Sequence, residues 1–189
     1  MSVRQLLIGG IAMPIIYLAG LVIAIVANPE FDALRQAPSD LGRPSAHLPI
    51  IMNLALLATA SAGLIGAAGL WLALKQGGAL RALLPALCLV LASTGLAMSG
   101  LFPLPNPLHY GFGLTTAGIL IPLAGALALW RARTSRVPTV LLLATFVLAA
   151  GMIATGIPLA PGVVMLISVA ILCLVVRNRA PVPQPQPSA

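Results

Sequence analysis

Residues Leu48–Leu74 read LPIIMNLALLATASAGLIGAAGLWLAL, 27 positions without one Asp, Glu, Lys, Arg or His. A helix rises 1.5 Å per residue, so ~20 apolar residues cross the ~30 Å hydrocarbon layer of a bilayer, and this stretch is long enough. Ala55, Thr59, Gly63 and Ala67 step by four along one face of such a helix. Lipid tails solvate Leu as well as a neighbouring helix does, so small residues mark where a second helix packs closely. The stretch therefore reads as a transmembrane helix with a seam for a neighbour.

Outward from it, apolar stretches recur at Leu6 to Ala27, Ala82 to Phe102, Leu108 to Trp130, Val137 to Ile157 and Gly162 to Val176. Of the 189 residues 60 % are hydrophobic and only 7 % charged, with a mean hydropathy of +1.08. A water-soluble domain does not have this composition. The expected fold is all-α, an integral membrane bundle of six transmembrane helices forming one domain over residues 1–179. Helices are expected at about 6–27, 48–74, 82–102, 108–130, 137–157 and 158–176, the last borrowing Pro158 to Pro161 to reach spanning length. The tail at 180–189 alternates Pro with Val and Gln and reads as a disordered, extended cytoplasmic segment. The first stretch has an apolar core of about 22 residues against the 7–15 of a signal peptide, so it is expected to be retained as a span.

The charges sort by side. Arg4, Lys75, Arg81, Arg131, Arg133, Arg136, Arg177 and Arg179 fall on one side of an alternating six-helix path, with no acid among them. The other side holds Arg35 and Arg43 with Glu30, Asp32 and Asp40. By the positive-inside rule both termini are expected in the cytoplasm of a cell inner-membrane protein. The high pI thus reflects topology, and no nucleic-acid partner is implied. Cys88 and Cys173 fall within helices and read as inert packing residues.

Short connectors at Lys75 to Arg81 and Arg131 to Arg136 tie neighbouring helices antiparallel. The longest connector, Asn28 to His47, contains Pro29, Pro38, Gly42 and Pro44 and reads as a folded cap over the outer mouth. Pro14, Pro85 and Pro122 are expected inside helices. Met98 to Pro103 and Ala154 to Pro158 are faintly alike, and both read as helix ends stopped by Gly and then Pro.

No ionisable residue lies in the middle of any span, whereas proton-coupled transporters and voltage sensors usually keep one there. The distinctive residues gather at the outer face: Ser39, Asp40, Arg43, His47 and Asn53 near the entry to the second helix, His109 and Tyr110 near the entry to the fourth. Asp40 and Arg43 are spaced to pair, with Gly42 allowing a sharp turn, and Pro44 or Pro49 is expected to open the second helix. Three readings of Asp40, Arg43, His47, Asn53 and His109 stay open. In the first they are structural. In the second they bind a lipid headgroup or small amphipathic molecule, with Arg43 on a phosphate. In the third the protein is a membrane-embedded hydrolase or transferase acting on a lipid headgroup, with His47 or His109 as general base or metal ligand, Asp40 orienting it and Arg43 stabilising negative charge. No phosphate-binding glycine loop, nucleophile elbow or close-spaced metal motif is present, so no cofactor and no metal are expected. Membrane lipids are the expected partners, with a membrane-protein partner or a homo-oligomer as the alternative.

The order Ser39-Asp40-Leu41-Gly42, Asn53, Gly100-Leu101-Phe102-Pro103 and His109 resembles a family of prokaryotic multi-pass membrane proteins known as domain of unknown function 998. The resemblance runs from the first helix to the sixth and excludes the tail. It implies a six-helix bundle and supplies no reaction, substrate or cofactor. Members often carry two adjacent histidines after the Phe-Pro, whereas here Tyr110 follows His109. That departure weakens a metal centre built on a histidine pair and directs attention to Asp40, Asn53 and His109 before His47.

Overall fold

The computed structural model describes residues 1–130, 136–156 and 160–180. Arg131, Arg133, Ile157, Pro158 and the tail from Pro181 to Ala189 lie outside the described residues. All regular structure among the described residues is helical, and six helices are long and apolar enough to cross a membrane. The chain is a multi-pass membrane protein by that measure.

Helix α1 (Val3–Ala27) starts earlier than the apolar pattern suggests because Ser2 caps it. Ser2 Oγ accepts from the Gln5 amide at 3.3 Å and Gln5 Oε1 accepts from the Ser2 amide at 2.7 Å, so two donors with no intrahelical partner are satisfied reciprocally. Helix α2 (Ile50–Leu74) runs through a short 3-10 turn (Lys75–Gly77) into α3 (Ala79–Leu101). Gly78 takes φ +122° between them, a conformation that favours glycine. Helices α5 (Arg136–Thr155) and α6 (Ala160–Arg179) complete the bundle. Gly156 ends α5 at φ +73°, whereas Gly100 lies inside α3. The two similar helix ends therefore use their glycines differently.

The fourth span is not the continuous helix expected from Leu108 to Trp130. A 3-10 segment (Pro107–Leu120) comes first, broken at Gly111, Phe112 and Gly113 with φ of +52°, +52° and +76°. A short α4 (Ile121–Leu129) follows, with Pro122 in its first turn rather than inside a helix. The reason is close backbone packing. A Cβ added to Gly95 of α3 would lie 2.6 Å from the Thr115 amide nitrogen, and one on Gly111 would lie 3.1 Å from the Gly95 Cα. The segment rests backbone against backbone on α3, and Thr116 Oγ1 donates to the Gly113 carbonyl at 2.6 Å. Broken helices persist at membrane depth when side chains satisfy such freed carbonyls.

Consecutive elements pack side by side, and α6 returns to α1, so the spans form a closed ring. The stripe foreseen on α2 is buried at Ala55, Thr59, Gly63 and Ala67. It faces both neighbours, Gly63 meeting Ser93 of α3 and Met13 of α1 and Ala55 meeting Gly20 of α1; beside the stripe, a Cβ on Gly66 would lie 2.6 Å from the Gly10 nitrogen, and one on Gly69 would lie 2.9 Å from the Leu7 nitrogen. Inside the ring Leu7, Met13, Met52, Leu70, Leu89, Ile121, Leu142 and Leu172 are fully buried. Outside it Ile15, Val22, Val140 and Val147 are well exposed, an apolar girdle that water would penalise and lipid would not.

Candidate functional site

Antiparallel spans bring the connector between α1 and α2 and the connector between α3 and the 3-10 segment to one end of the ring. Asn28, directly after α1, staples the first of these. Its Nδ2 donates to the Ala24 carbonyl at 2.8 Å and to the His47 carbonyl at 2.9 Å, while Oδ1 accepts from the His47 amide at 2.7 Å. One amide thus joins positions 19 apart in the chain and closes the loop between them. His47 is held by its backbone, and its residue is exposed. Helix α2 begins after Pro49, not at Pro44, and Leu48 takes φ +53° at the entry.

Within the loop, Pro38–Gly42 forms a single 3-10 turn. Asp40 Oδ2 accepts from the Ala37 amide at 2.9 Å, and its Oδ1 pairs with Arg43 Nε at 2.7 Å. Leu41, 2 % exposed, anchors the turn in the core. The neighbouring Asp32–Arg35 pair, at 3.5 Å and well exposed, contributes little, as surface pairs do.

Asn53 lies one turn into α2 and donates from Nδ2 to the Gly42 carbonyl at 3.1 Å. Its Oδ1 is buried without a hydrogen-bond partner and occupies the space a Cβ on Gly42 would need. Gly42 has no positive φ, so glycine is required there for room rather than for a sharp turn. On the opposite side, a Cβ on Gly100 of α3 would lie 2.8 Å from the Asn53 carbonyl oxygen. Asn53 is thereby held between the loop and α3.

His109 is 4 % exposed. Its Nδ1 lies 3.0 Å from the Phe102 carbonyl; a carbonyl only accepts, so that nitrogen carries the proton and, in the neutral ring, Nε2 bears the lone pair. Ser99 Oγ lies 2.8 Å from the His109 carbonyl and 3.0 Å from the Gly95 carbonyl. Tyr110 meets the imidazole edge-on at 5.6 Å and is itself 66 % exposed.

An open polar cleft of about 520 Å³ lies over the loop, lined by Asn28, Glu30, Phe31, Gln36, Asp40, Leu41, Arg43, Ser45 and Ala46. Asp40 and Arg43 line it; His47, Asn53 and His109 do not. Both Asp40 oxygens are engaged by Ala37 and Arg43, and neither histidine is among Asp40's partners in the described residues. Among those residues no group of three or more His, Cys, Asp or Glu is placed to hold a metal ion. Inside the ring a second cavity of about 70 Å³ is apolar, with Met13, Tyr17, Met165 and Val169 in its wall.

A family model described as "Protein of unknown function (DUF998)" matches residues 11–177. The chain belongs to the DUF998 family. No curated protein and no solved structure matches it. In this DUF998 chain the residues that carry the resemblance form a series of contacts: Asp40 fixes the loop turn, Gly42 receives Asn53, Asn53 backs onto Gly100, and the end of α3 receives His109. Tyr110 is the exposed neighbour of the buried His109. Sequence reasoning overlooked Asn28, Glu30, Phe31 and Gln36 as cleft residues. The available signal was the run Asn28-Pro29-Glu30-Phe31, where an apolar span stops and an amide, an acid and an aromatic follow directly.

Proposed function

We propose that this DUF998 protein sits in the inner membrane with both termini in the cytoplasm and binds a membrane lipid through the polar cleft on its outer face. The observation that carries the reading is the cleft itself. A polar-walled opening of about 520 Å³ sits at one end of a lipid-facing ring, and its volume falls in the ~300–1,000 Å³ typical of small-molecule sites. A wall of Asp, Arg, Asn and Gln matches the polar end of an amphipathic molecule, while the exposed apolar girdle beside it accommodates acyl chains. Arg43 is 46 % exposed beside Asp40; a guanidinium has five N–H donors, more than one carboxylate engages, and the remainder suit a phosphate. The excess of Arg and Lys on the other side supports an outward-facing cleft.

Asp40 and Arg43 act as contacts in this account. Asn53, His109 and the backbone of His47 act as positioning groups that hold the two connectors. The test is native mass spectrometry of protein extracted gently from membranes, with Arg43→Ala and Asn53→Ala alongside. One defined lipid on the wild type, lost in both variants, is expected. A wild type that carries none, with a melting temperature unchanged in every lipid tested, would overturn the proposal.

A further inference from the structure

The cleft wall carries two carboxylates and one guanidinium: Glu30, Asp40 and Arg43. Asp40 and Arg43 neutralise each other at 2.7 Å. Glu30 is exposed and has no hydrogen-bond or ion-pair partner among the described residues. The wall is therefore net negative by one charge, and an anionic headgroup such as phosphatidylglycerol would meet that charge unbalanced. Beside Glu30, Phe31 is half-buried and packed against the hydrophobic core, which holds its ring in place at the cleft. An aromatic ring beside a carboxylate attracts an ammonium group, the ring through its quadrupole and the carboxylate through its charge. Arg43 supplies the complementary donor for a phosphate.

Resting on the lipid-site reading above, we infer that the cleft selects a zwitterionic phosphate–ammonium headgroup, with the phosphate at Arg43 and the ammonium at Glu30 and Phe31. The ammonium gives Glu30 the counter-charge it lacks within the wall, whereas an anionic lipid or inorganic phosphate only adds negative charge to a wall that is already net negative. Among the described residues the Glu30 side chain makes no bond, so its removal changes selectivity without removing a contact that supports the loop.

The experiment uses the full chain in nanodiscs of equal phosphatidylethanolamine and phosphatidylglycerol, followed by native mass spectrometry of the retained lipid, with Glu30→Gln and Arg43→Gln in parallel. A partly exposed charge pair is worth up to ~1 kcal/mol, so the wild type is expected to retain phosphatidylethanolamine about fivefold over phosphatidylglycerol. Glu30→Gln is expected to abolish that preference while lipid is still retained, and Arg43→Gln to lower retention of both. Soluble phosphoethanolamine is then added. Displacement of the lipid supports the headgroup chemistry with a soluble source as well, and failure to displace it ties that chemistry to the lipid. Equal retention of the two lipids by the wild type, or an unchanged preference in Glu30→Gln, would overturn the inference and leave the lipid site standing. No retention of either would overturn both.

Discussion

Alanine at position 42 provides a close test of how the first connector is locked to the bundle. A Cβ there would overlap the Asn53 amide, so Gly42→Ala has to expel that side chain and lose the 3.1 Å bond from Asn53 Nδ2 to the Gly42 carbonyl. Overpacking costs ~1–3 kcal/mol, and a buried amide left without its partner costs a similar ~1–3 kcal/mol. The two are alternatives here, because the side chain either clashes or moves, so Gly42→Ala is expected to cost about 2 kcal/mol. Asn53→Ala loses the same bond but also removes the unpartnered Oδ1, and about 1 kcal/mol is expected. In the double variant the new methyl enters space vacated by the amide. Only the lost bond remains, about 1 kcal/mol, against a sum of about 3 for independent sites, which gives a coupling near 2 kcal/mol within the ~0.5–3 range of contacting residues. The assay is equilibrium unfolding of the four proteins in mixed micelles, followed by helicity as denaturing detergent is titrated. Additivity to within ~0.5 kcal/mol would refute the proposed contact.

Gly66→Val places a side chain 2.6 Å from the Gly10 backbone and is expected to cost about 1–3 kcal/mol in the same titration. Gly77→Ala, where a Cβ meets nothing within 4 Å, should stay within about 0.5 kcal/mol of the wild type. Reporter fusions after Arg43 and after Arg133 should report opposite sides of the membrane, with Arg133 cytoplasmic; the same side for both would contradict six spans. Asn28→Ala removes the three bonds that close the first connector, so limited proteolysis should cut between residues 28 and 49 faster than in the wild type, and an unchanged rate would argue against the staple.

The spans were legible because hydropathy records a solvent requirement that does not depend on tertiary structure. The same reasoning placed the fourth span but not its break, since Gly111, Phe112 and Gly113 are as apolar as a helix interior and only the close approach of α3 at Gly95 shows that the backbone is broken there. The stripe on α2 was readable as a seam, but its partners, Met13 and Gly20 of α1 and Ser93 of α3, were not, because packing partners are a property of the bundle. Asp40 and Arg43 were paired correctly by spacing, a local relation. Asn28 was missed because its amide joins positions 19 apart; His109 was ranked before His47 only through the family resemblance, and nothing local in the sequence tells that His47 is exposed and His109 buried. Glu30 read as one more outer-side charge until the loop folded it into the same wall as Phe31 and Arg43.

Photocrosslinking in living cells tests the lipid-binding cleft most directly, with a photoreactive amino acid replacing Ser45 in the cleft wall. The intact protein, purified after irradiation, is expected to gain the mass of one phospholipid, and this adduct is expected to disappear when Arg43→Ala is added. A protein that stays unmodified, or an adduct that persists without Arg43, would contradict the account.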